Sequence, residues 1–263
     1  YASHGDTKHV LLFPADPYEC FTMAPQAFDL ADRLQTPVMV LSDLDIGMND
    51  WMVPEFEWDE NYVHDRGKVL SAQDLEEMDA FYRYLDVDGD GIPYRTLPGT
   101  HPKGSYFTRG SGHTKYGAYT ENAADYQEVI DRLDEKWETA RKLVPEPEIA
   151  YSKFNSAAVL TVGSGNGACK EALDRLGAQN VGLNYCRVKA FPFGESVKEF
   201  IDKHEVVYVV EQNRDAQLRA LLILDFNLQP DKLVSLLHYN GIPMNAGFVV
   251  DKVLEEMSKG RAA

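Results

Sequence analysis

Ser156-Ala157-Ala-Val-Leu-Thr-Val162-Gly163-Ser-Gly-Asn-Gly167-Ala-Cys-Lys-Glu-Ala-Leu-Asp-Arg-Leu176 is the stretch that decides the fold. Residues 157–162, Ala-Ala-Val-Leu-Thr-Val, form a mostly apolar run between Ser156 and Gly163, which reads as a strand. Gly167 to Leu176 follows as a helix. Working outward, Asn180 to Tyr185 reads as a strand and Ser196 to His204 as a helix. Val206 to Val210 is a second buried strand, Arg214 to Leu224 is helical, and Ala246 to Met257 is a closing helix. Strands that alternate with helices predict an α/β fold with a mostly parallel sheet.

The amino-terminal part has the same grammar. His9 to Ala15 is a short apolar strand. Tyr18 to Leu34 carries Phe21, Ala24, Ala27, Phe28, Ala31 and Leu34 on one helical face, started by Asp16-Pro17. Pro37 to Asp43 is another strand, so a strand–helix–strand unit with a parallel pair is expected. Ligand sites in such sheets lie beyond the strands' carboxyl ends, which singles out Ser42, Asp43 and Asp45; simple turn chemistry explains the same residues. Met48 to Val69 reads as an irregular aromatic strap, Asp74 to Tyr84 as a short helix, Asp125 to Val144 as a long one, and Pro145 to Glu148 as a linker. The domain expectation is residues 1–55, a connecting region 56–150, and a second domain 151–263.

Composition narrows the function classes. The chain has 263 residues and is 44% hydrophobic, enough for a sizeable core. A formal charge of −16 argues against a nucleic-acid partner, which needs a basic face; the acidity serves solubility or a basic partner. No apolar run is long enough to span a bilayer, and no signal peptide is visible. The first residues, Tyr1-Ala-Ser-His-Gly-Asp6, read as the middle of something longer. Cys20, Cys169 and Cys186 are too far apart for a disulfide framework or a Cys-x-x-Cys site. A reducing, cytoplasmic setting is expected, with any iron–sulfur cluster on another chain.

Leu85 to Glu121 holds seven glycines and three prolines with no helical or strand period, and it is rich in aromatics. An ordered loop of that length is usually functional. Asp86, Asp88 and Asp90 with Gly91 copy the first half of an EF-hand loop. Position 12, where a bidentate Glu belongs, is Leu97. A structural Ca²⁺ or Mg²⁺ completed by a distant carboxylate and a plain Asp/Gly turn both fit. Gly89-Asp90-Gly91 also resembles the opening of the thiamine diphosphate motif. Asn122 lies at a suitable spacing, but its neighbours Glu121 and Ala123 do not complete the motif, and this reading is rejected.

Gly163 to Gly167 invites a dinucleotide reading with a pyrophosphate on the helix N-terminus. The acidic residue expected on the ribose is absent, since the next strand ends Asn184-Tyr-Cys-Arg187. A tight strand-to-helix turn is the competing reading. Val206 to Val210 delivers Glu211, Gln212, Asn213 and Arg214 to its carboxyl end, as a polar site or a subunit contact. No nucleophile–base arrangement and no H-x-x-x-H metal pair stands out.

Taken in order, these segments resemble a family. Gln35-Thr-Pro-Val-Met-Val-Leu-Ser-Asp-Leu-Asp-Ile-Gly-Met-Asn49, Asp88-Gly-Asp-Gly-Ile-Pro-Tyr-Arg95, Gly110-Ser-Gly-His113 with Tyr119-Thr-Glu121, Val162-Gly-Ser-Gly165, Phe191-Pro-Phe193 and Val210-Glu-Gln-Asn213 with Gln217-Leu218 carry the likeness. The chain resembles the carboxyl-terminal portion of the α subunit of 2-oxoacid:ferredoxin oxidoreductases, most of all the 2-oxoglutarate type. The resemblance implies an enzyme that couples 2-oxoacid decarboxylation to CoA acylation and ferredoxin reduction, with thiamine diphosphate and a [4Fe-4S] cluster carrying the hard chemistry. It places thiamine diphosphate, its Mg²⁺ and the cluster mainly on a partner β subunit, and implies self-association as a dimer of αβ units.

On this likeness, residues 1–55 are the end of a thiamine-pyrimidine-binding-type domain, and residues 151–263 a transketolase C-terminal-like domain with structural and interfacial duties. The activating Glu and the substrate-binding Arg are expected upstream of Tyr1, so no catalytic residue is assigned. Arg109 to His113 reads as a docking loop between subunits. A transketolase-like β subunit of a 2-oxoacid dehydrogenase and a non-enzymatic, cation-stabilised interaction module are the alternatives.

Overall fold

The structure, a computed structural model, describes residues 6–107, 110, 112–152 and 156–260. Its elements in chain order are β1 (Val10–Leu12), α1 (Pro17–Leu34), β2 (Val38–Val40), α2 (Leu44–Met48), α3 (Ala72–Glu77), α4 (Ala123–Arg141), β3 (Glu148–Ala150), β4 (Ala157–Val162) and α5 (Gly165–Gly177). They continue with β5 (Asn184–Val188), β6 (Ala190–Phe191), α6 (Glu195–Asp202), β7 (Val206–Glu211), α7 (Gln217–Phe226), β8 (Leu233–Leu237) and α8 (Ala246–Ser258).

Contacts gather the chain into two units, each made of several chain segments. One comprises residues 1–10, 25–38 and 59–143; the other comprises 11–24, 39–58 and 144–263.

The second unit holds a five-stranded sheet in the order β3-β5-β4-β7-β8. β5, β4, β7 and β8 run parallel, and β3 closes one edge antiparallel to β5. The strand period of two sorts the side chains. Val159, Tyr185, Tyr208, Val210, Val234 and Leu236 join Cys169, Ala172 and Leu176 of α5 and Val249, Val250 and Val253 of α8 in one buried layer. Asn184 points the other way, where it meets His204 at the end of α6. A small sheet β2-β1-β6 belongs largely to the same unit, with β1 antiparallel to β6.

Several sequence expectations shift at their ends, for local reasons. The strand expected over 180–185 runs over Asn184–Val188, because Asn180 takes a left-handed φ of 62° and the Val181 amide closes onto the Leu176 carbonyl. That closure is a helix stop. The expected linker at 145–148 already begins β3 at Glu148, which pairs with Arg187. The short helix ends at Glu77 rather than Tyr84, after a capping box built by Ser71 and Asp74. β8 was hidden in a short apolar run that periodicity cannot assign.

The first unit is held by glycines that let loops lie on helices. Gly67 has φ +69°, and a Cβ there would stand 2.8 Å from the Arg33 Cα on α1. Gly91 has φ +78°, and a Cβ there would fall 2.2 Å from the Lys136 amide on α4. Thr139 Oγ1 donates to the Asp90 carbonyl at 2.7 Å and Arg132 Nη1 to the Gly91 carbonyl at 2.7 Å, so the long loop is bonded to α4 on both sides of that contact. Leu30, Leu34, Leu70, Leu75, Ile92, Trp137 and Ala140 are buried in this unit.

Candidate functional site at the carboxyl ends of the strands

β4 leads to β5 on one side of the large sheet, and β5 leads through α6 to β7 on the other side of β4. The connections after β4 and β7 therefore diverge, which makes the carboxyl ends of these two strands the topological switch point where α/β sheets bind ligands. Ser164 follows β4 and Gln212 follows β7. Asp43, which follows β2, joins them although it lies more than a hundred residues earlier.

The three side chains form a closed set. Ser164 Oγ donates to Asp43 Oδ2 at 2.5 Å. Gln212 Nε2 donates to Ser164 Oγ at 2.7 Å and to Asp43 Oδ2 at 3.3 Å. The other Asp43 oxygen accepts from the Ile46 amide at 3.0 Å and caps α2. Gly163, at φ +59°, brings the turn so near that a Cβ would sit 3.7 Å from Asp43 Oδ2. Asp45 lies beside this set and its pKa is raised, first by burial and then by the Asp43 charge. Ser42 adds no hydrogen bond to it.

This geometry answers the dinucleotide reading. A carboxylate already lies against the turn that would have to receive a pyrophosphate, and like charges there repel. The glycine-rich stretch is a strand-to-helix turn. Glu211 has a structural duty too: its buried carboxylate accepts from the Leu218 amide at 2.8 Å, the Arg219 amide at 3.3 Å and Asn213 Nδ2 at 2.6 Å. It supplies the negative charge at the N-terminus of α7. Arg214 pairs with Asp215 in solvent.

For the acidic loop of the first unit the sequence allows an ion site or a plain Asp/Gly turn; the three carboxylates converge, with one oxygen of each of Asp86, Asp88 and Asp90 within 4.8 Å of the others. Protein groups meet them. Lys68 Nζ bonds Asp88 Oδ1 at 2.6 Å, Asp90 Oδ1 at 2.7 Å and the Ile92 carbonyl at 3.0 Å. Asp86 accepts from the amides of Asp88, Gly89 and Gly91 at 3.3, 3.0 and 2.8 Å. Burial alone would raise the Asp86 pKa, but those amides outweigh it and hold the carboxyl low. A divalent cation would have to displace the lysine. The same bonds disqualify Gly89-Asp90-Gly91 as a diphosphate–Mg²⁺ site, and Asn122 is spent as the N-cap of α4, accepting from the Ala124 amide at 2.8 Å.

A buried ion network in the second unit escaped the sequence reading. Arg187 on β5 is 3% exposed. It donates to Glu19 at 2.6 and 2.7 Å and to Glu148 at 3.1 Å. Lys170 reaches Glu148 at 2.6 Å. Burial pushes the Glu19 carboxyl up, yet the Arg187 bonds and the Ala15 amide outweigh it and leave its pKa lowered. The signal available in the sequence was an arginine inside an otherwise buried strand, since a charge there demands a partner.

Arg109 and Ser111 of the expected docking loop lie outside the described residues; His113 stacks on Tyr84 with ring centroids 3.9 Å apart. Cys169 and Cys186 are buried, and burial pushes both thiols up to about 12.

No protein-family model matches the chain. Individual relatives do. The α subunit of 2-oxoacid:ferredoxin oxidoreductase 2 from Aeropyrum pernix is 29% identical over 99% of this chain and 40% of its own length. The 2-oxoacid:ferredoxin oxidoreductase α subunit of Saccharolobus solfataricus is 26% identical over 98% of this chain and 40% of its own. The 2-oxoglutarate synthase subunit KorA of Archaeoglobus fulgidus is 26% identical over 81% of this chain. The chain thus spans two fifths of the length of the first two relatives, 40% in each case.

Among solved structures, a 2-oxoglutarate:ferredoxin oxidoreductase from Magnetococcus marinus, with 2-oxoglutarate, coenzyme A and succinyl-CoA bound, superimposes with a TM-score of 0.83 over 97% of this chain and 43% of that one. At 22% identity it shows the fold. Among the described residues, no helix is long and apolar enough to cross a membrane. Along nearly its whole length, this chain is similar to the α subunits of 2-oxoacid:ferredoxin oxidoreductases.

Proposed function

We propose that the chain is part of the α subunit of a thiamine-dependent 2-oxoglutarate:ferredoxin oxidoreductase, which converts 2-oxoglutarate, CoA and oxidised ferredoxin to succinyl-CoA, CO₂ and reduced ferredoxin. Its role is structural and interfacial. Residues 1–55 contribute the end of a pyrimidine-binding-type domain, and residues 151–263 the transketolase C-terminal-like domain. The observation that carries this reading is the match over 98–99% of the chain to two α subunits.

The chemistry of the side chains supports the division of labour. The polar set at the switch point spends its hydrogen bonds internally: Ser164 and Gln212 satisfy Asp43, and Glu211 satisfies α7. The buried thiols, held protonated, are poor iron ligands. The resemblance to the α subunits assigns thiamine diphosphate, Mg²⁺ and the [4Fe-4S] cluster to a β subunit, with αβ units pairing and ferredoxin docking on the assembly. The loop around His113 is assigned to subunit docking.

The test is to purify the full-length protein with the chain that accompanies it and to follow ferredoxin reduction. Turnover should require 2-oxoglutarate and CoA together. Reduction independent of CoA, or acylation of a lipoyl domain with no ferredoxin activity, would overturn the reading, the latter in favour of a 2-oxoacid dehydrogenase subunit.

A further inference from the structure

Helix α4 presents Asp134, Lys136 and Trp137 to a cleft of about 200 Å³ in the first unit, whose other walls include Asp6, Lys8 and His9. That volume exceeds the cavity of roughly 150 Å³ known to accept a benzene ring. A ring and one small polar group have room. The floor is apolar: Trp137 and Leu34 are 5% and 0% exposed.

The cleft's cations are unevenly matched. Lys8 lies 5.3 Å from the centre of the Trp137 ring and 3.8 Å from the Asp134 carboxylate, so it has a counter-charge. Among the described residues Lys136 has none: its ammonium reaches the Gln35 carbonyl at 3.5 Å. Burial, then the charges of Arg132 and Arg83, push its pKa down to about 8. Among the described residues His9 Nδ1 is buried without a hydrogen-bond partner. Acids are plentiful in this chain, 42 against 26 basic residues. Lys68, Arg33, Arg66, Arg95 and Lys115 of the same unit all pair with one. A desolvated ammonium left without an anion is costly, and an incoming anion removes that cost.

We propose that this cleft binds a small carboxylate carried on an apolar body, the carboxylate answering Lys136 and the His9 ring nitrogen and the body lying against the Pro37 and Leu133 wall beside Trp137. A monoanion fits better than a phosphate, because a single ammonium and one ring nitrogen do not make the fork of donors that phosphates recruit. The site is independent of the oxidoreductase reading and needs no turnover to be tested.

Saturation-transfer NMR with benzoate as probe, on the full-length protein with its accompanying chain, reads the site directly. Benzoate should give a saturable signal, and benzyl alcohol, its neutral counterpart in size, should bind about tenfold more weakly or worse. Lys136→Met should weaken benzoate about tenfold or more and leave benzyl alcohol unchanged, while Lys136→Arg, which keeps the charge, should stay within roughly threefold of the parent. Melting curves check that each variant is folded. Equal binding of the two probes, benzoate binding indifferent to Lys136→Met, or no saturable benzoate signal would each overturn the proposal.

Discussion

Replacing Arg187 with Met keeps an unbranched stem on β5 and deletes the charge that Glu19 and Glu148 share. The substitution removes three charge-assisted bonds, at 2.6, 2.7 and 3.1 Å. Breaking a buried pair from one side costs about 3–5 kcal/mol, because the remaining charge is stranded. Here the carboxylates keep some help. Glu19 retains the Ala15 amide at 2.8 Å and Lys189 at 3.9 Å, and Glu148 retains Lys170 at 2.6 Å. Their side chains are also 21% and 35% exposed, so water relieves part of the penalty. The low end applies, about 3 kcal/mol. At roughly 2–4 °C per kcal/mol for a domain of this size, the melting midpoint should fall by roughly 6–12 °C.

Calorimetric or circular-dichroism melts of parent, Arg187→Met, Glu19→Gln and the double variant measure the loss and the pairwise coupling, expected at about 2 kcal/mol or more. The pH dependence has a definite sign. Glu19 is held below its ordinary value of 4.5 in the folded protein, so its contribution is complete above that value and is lost as pH falls through the lowered one. Parent and variant should therefore converge in acid. A deficit under about 1 kcal/mol at neutral pH, or one that stays constant as Glu19 takes up its proton, would refute the reasoning.

Gly91→Ala should be among the most damaging changes in the first unit, costing about 3 kcal/mol or more by urea titration, since the new Cβ meets helix backbone and φ is +78°. Lys68→Met should cost only about 1 kcal/mol, because Asp88 and Asp90 are 43% and 35% exposed. In that variant, though not in the parent, Ca²⁺ should raise the melting midpoint by replacing the lost ammonium; a parent stabilised by Ca²⁺ would contradict the assignment. His204 accepts from Asn184 Nδ2 at 2.7 Å through Nε2 and donates through Nδ1 to the Phe200 carbonyl at 2.6 Å, so it is held neutral. Burial lowers its pKa, and Lys232 and Lys203 add to that against the opposing Phe200 bond. Stability should be complete above 6.5 and decline as pH drops through the lowered value, and His204→Gln should flatten that slope in pH-dependent melts.

Much of the fold was legible because its elements are locally consistent. Residues 157–160 and 206–210 are apolar at successive positions, the pattern of a strand covered on both faces. Ser71, Asn122 and Asn245 cap helices whose starts the sequence places at Asp74, Asp125 and Ala246. The misplaced boundaries arose where a turn overrode an apolar pattern, as at Asn180, or where a short run such as Leu233–Leu237 had no period to declare itself.

The site was legible in parts and not as a whole. Asp43, Ser164 and Gln212 each lie at the end of a strand, which sequence can place. That they bond one another follows from the strand order β5-β4-β7, which no local signal carries. The acidic loop is the converse case. Asp86, Asp88 and Asp90 spell a cation site, and the convergence is real, but the cation that meets Asp88 and Asp90 is Lys68, drawn from twenty residues away.

By itself, then, the sequence determined which segments are strands and helices, that the main sheet is parallel, and which family the ordered set of segments resembles. These depend on short-range periodicity, on capping chemistry and on the order of segments along the chain. Only the tertiary structure decided which charges are paired. The partners of Arg187 and the lysine that meets Asp88 and Asp90 are long-range facts. Side chains distant in sequence meet only after the backbone has folded, and whether a buried charge is neutralised or left waiting depends on that meeting.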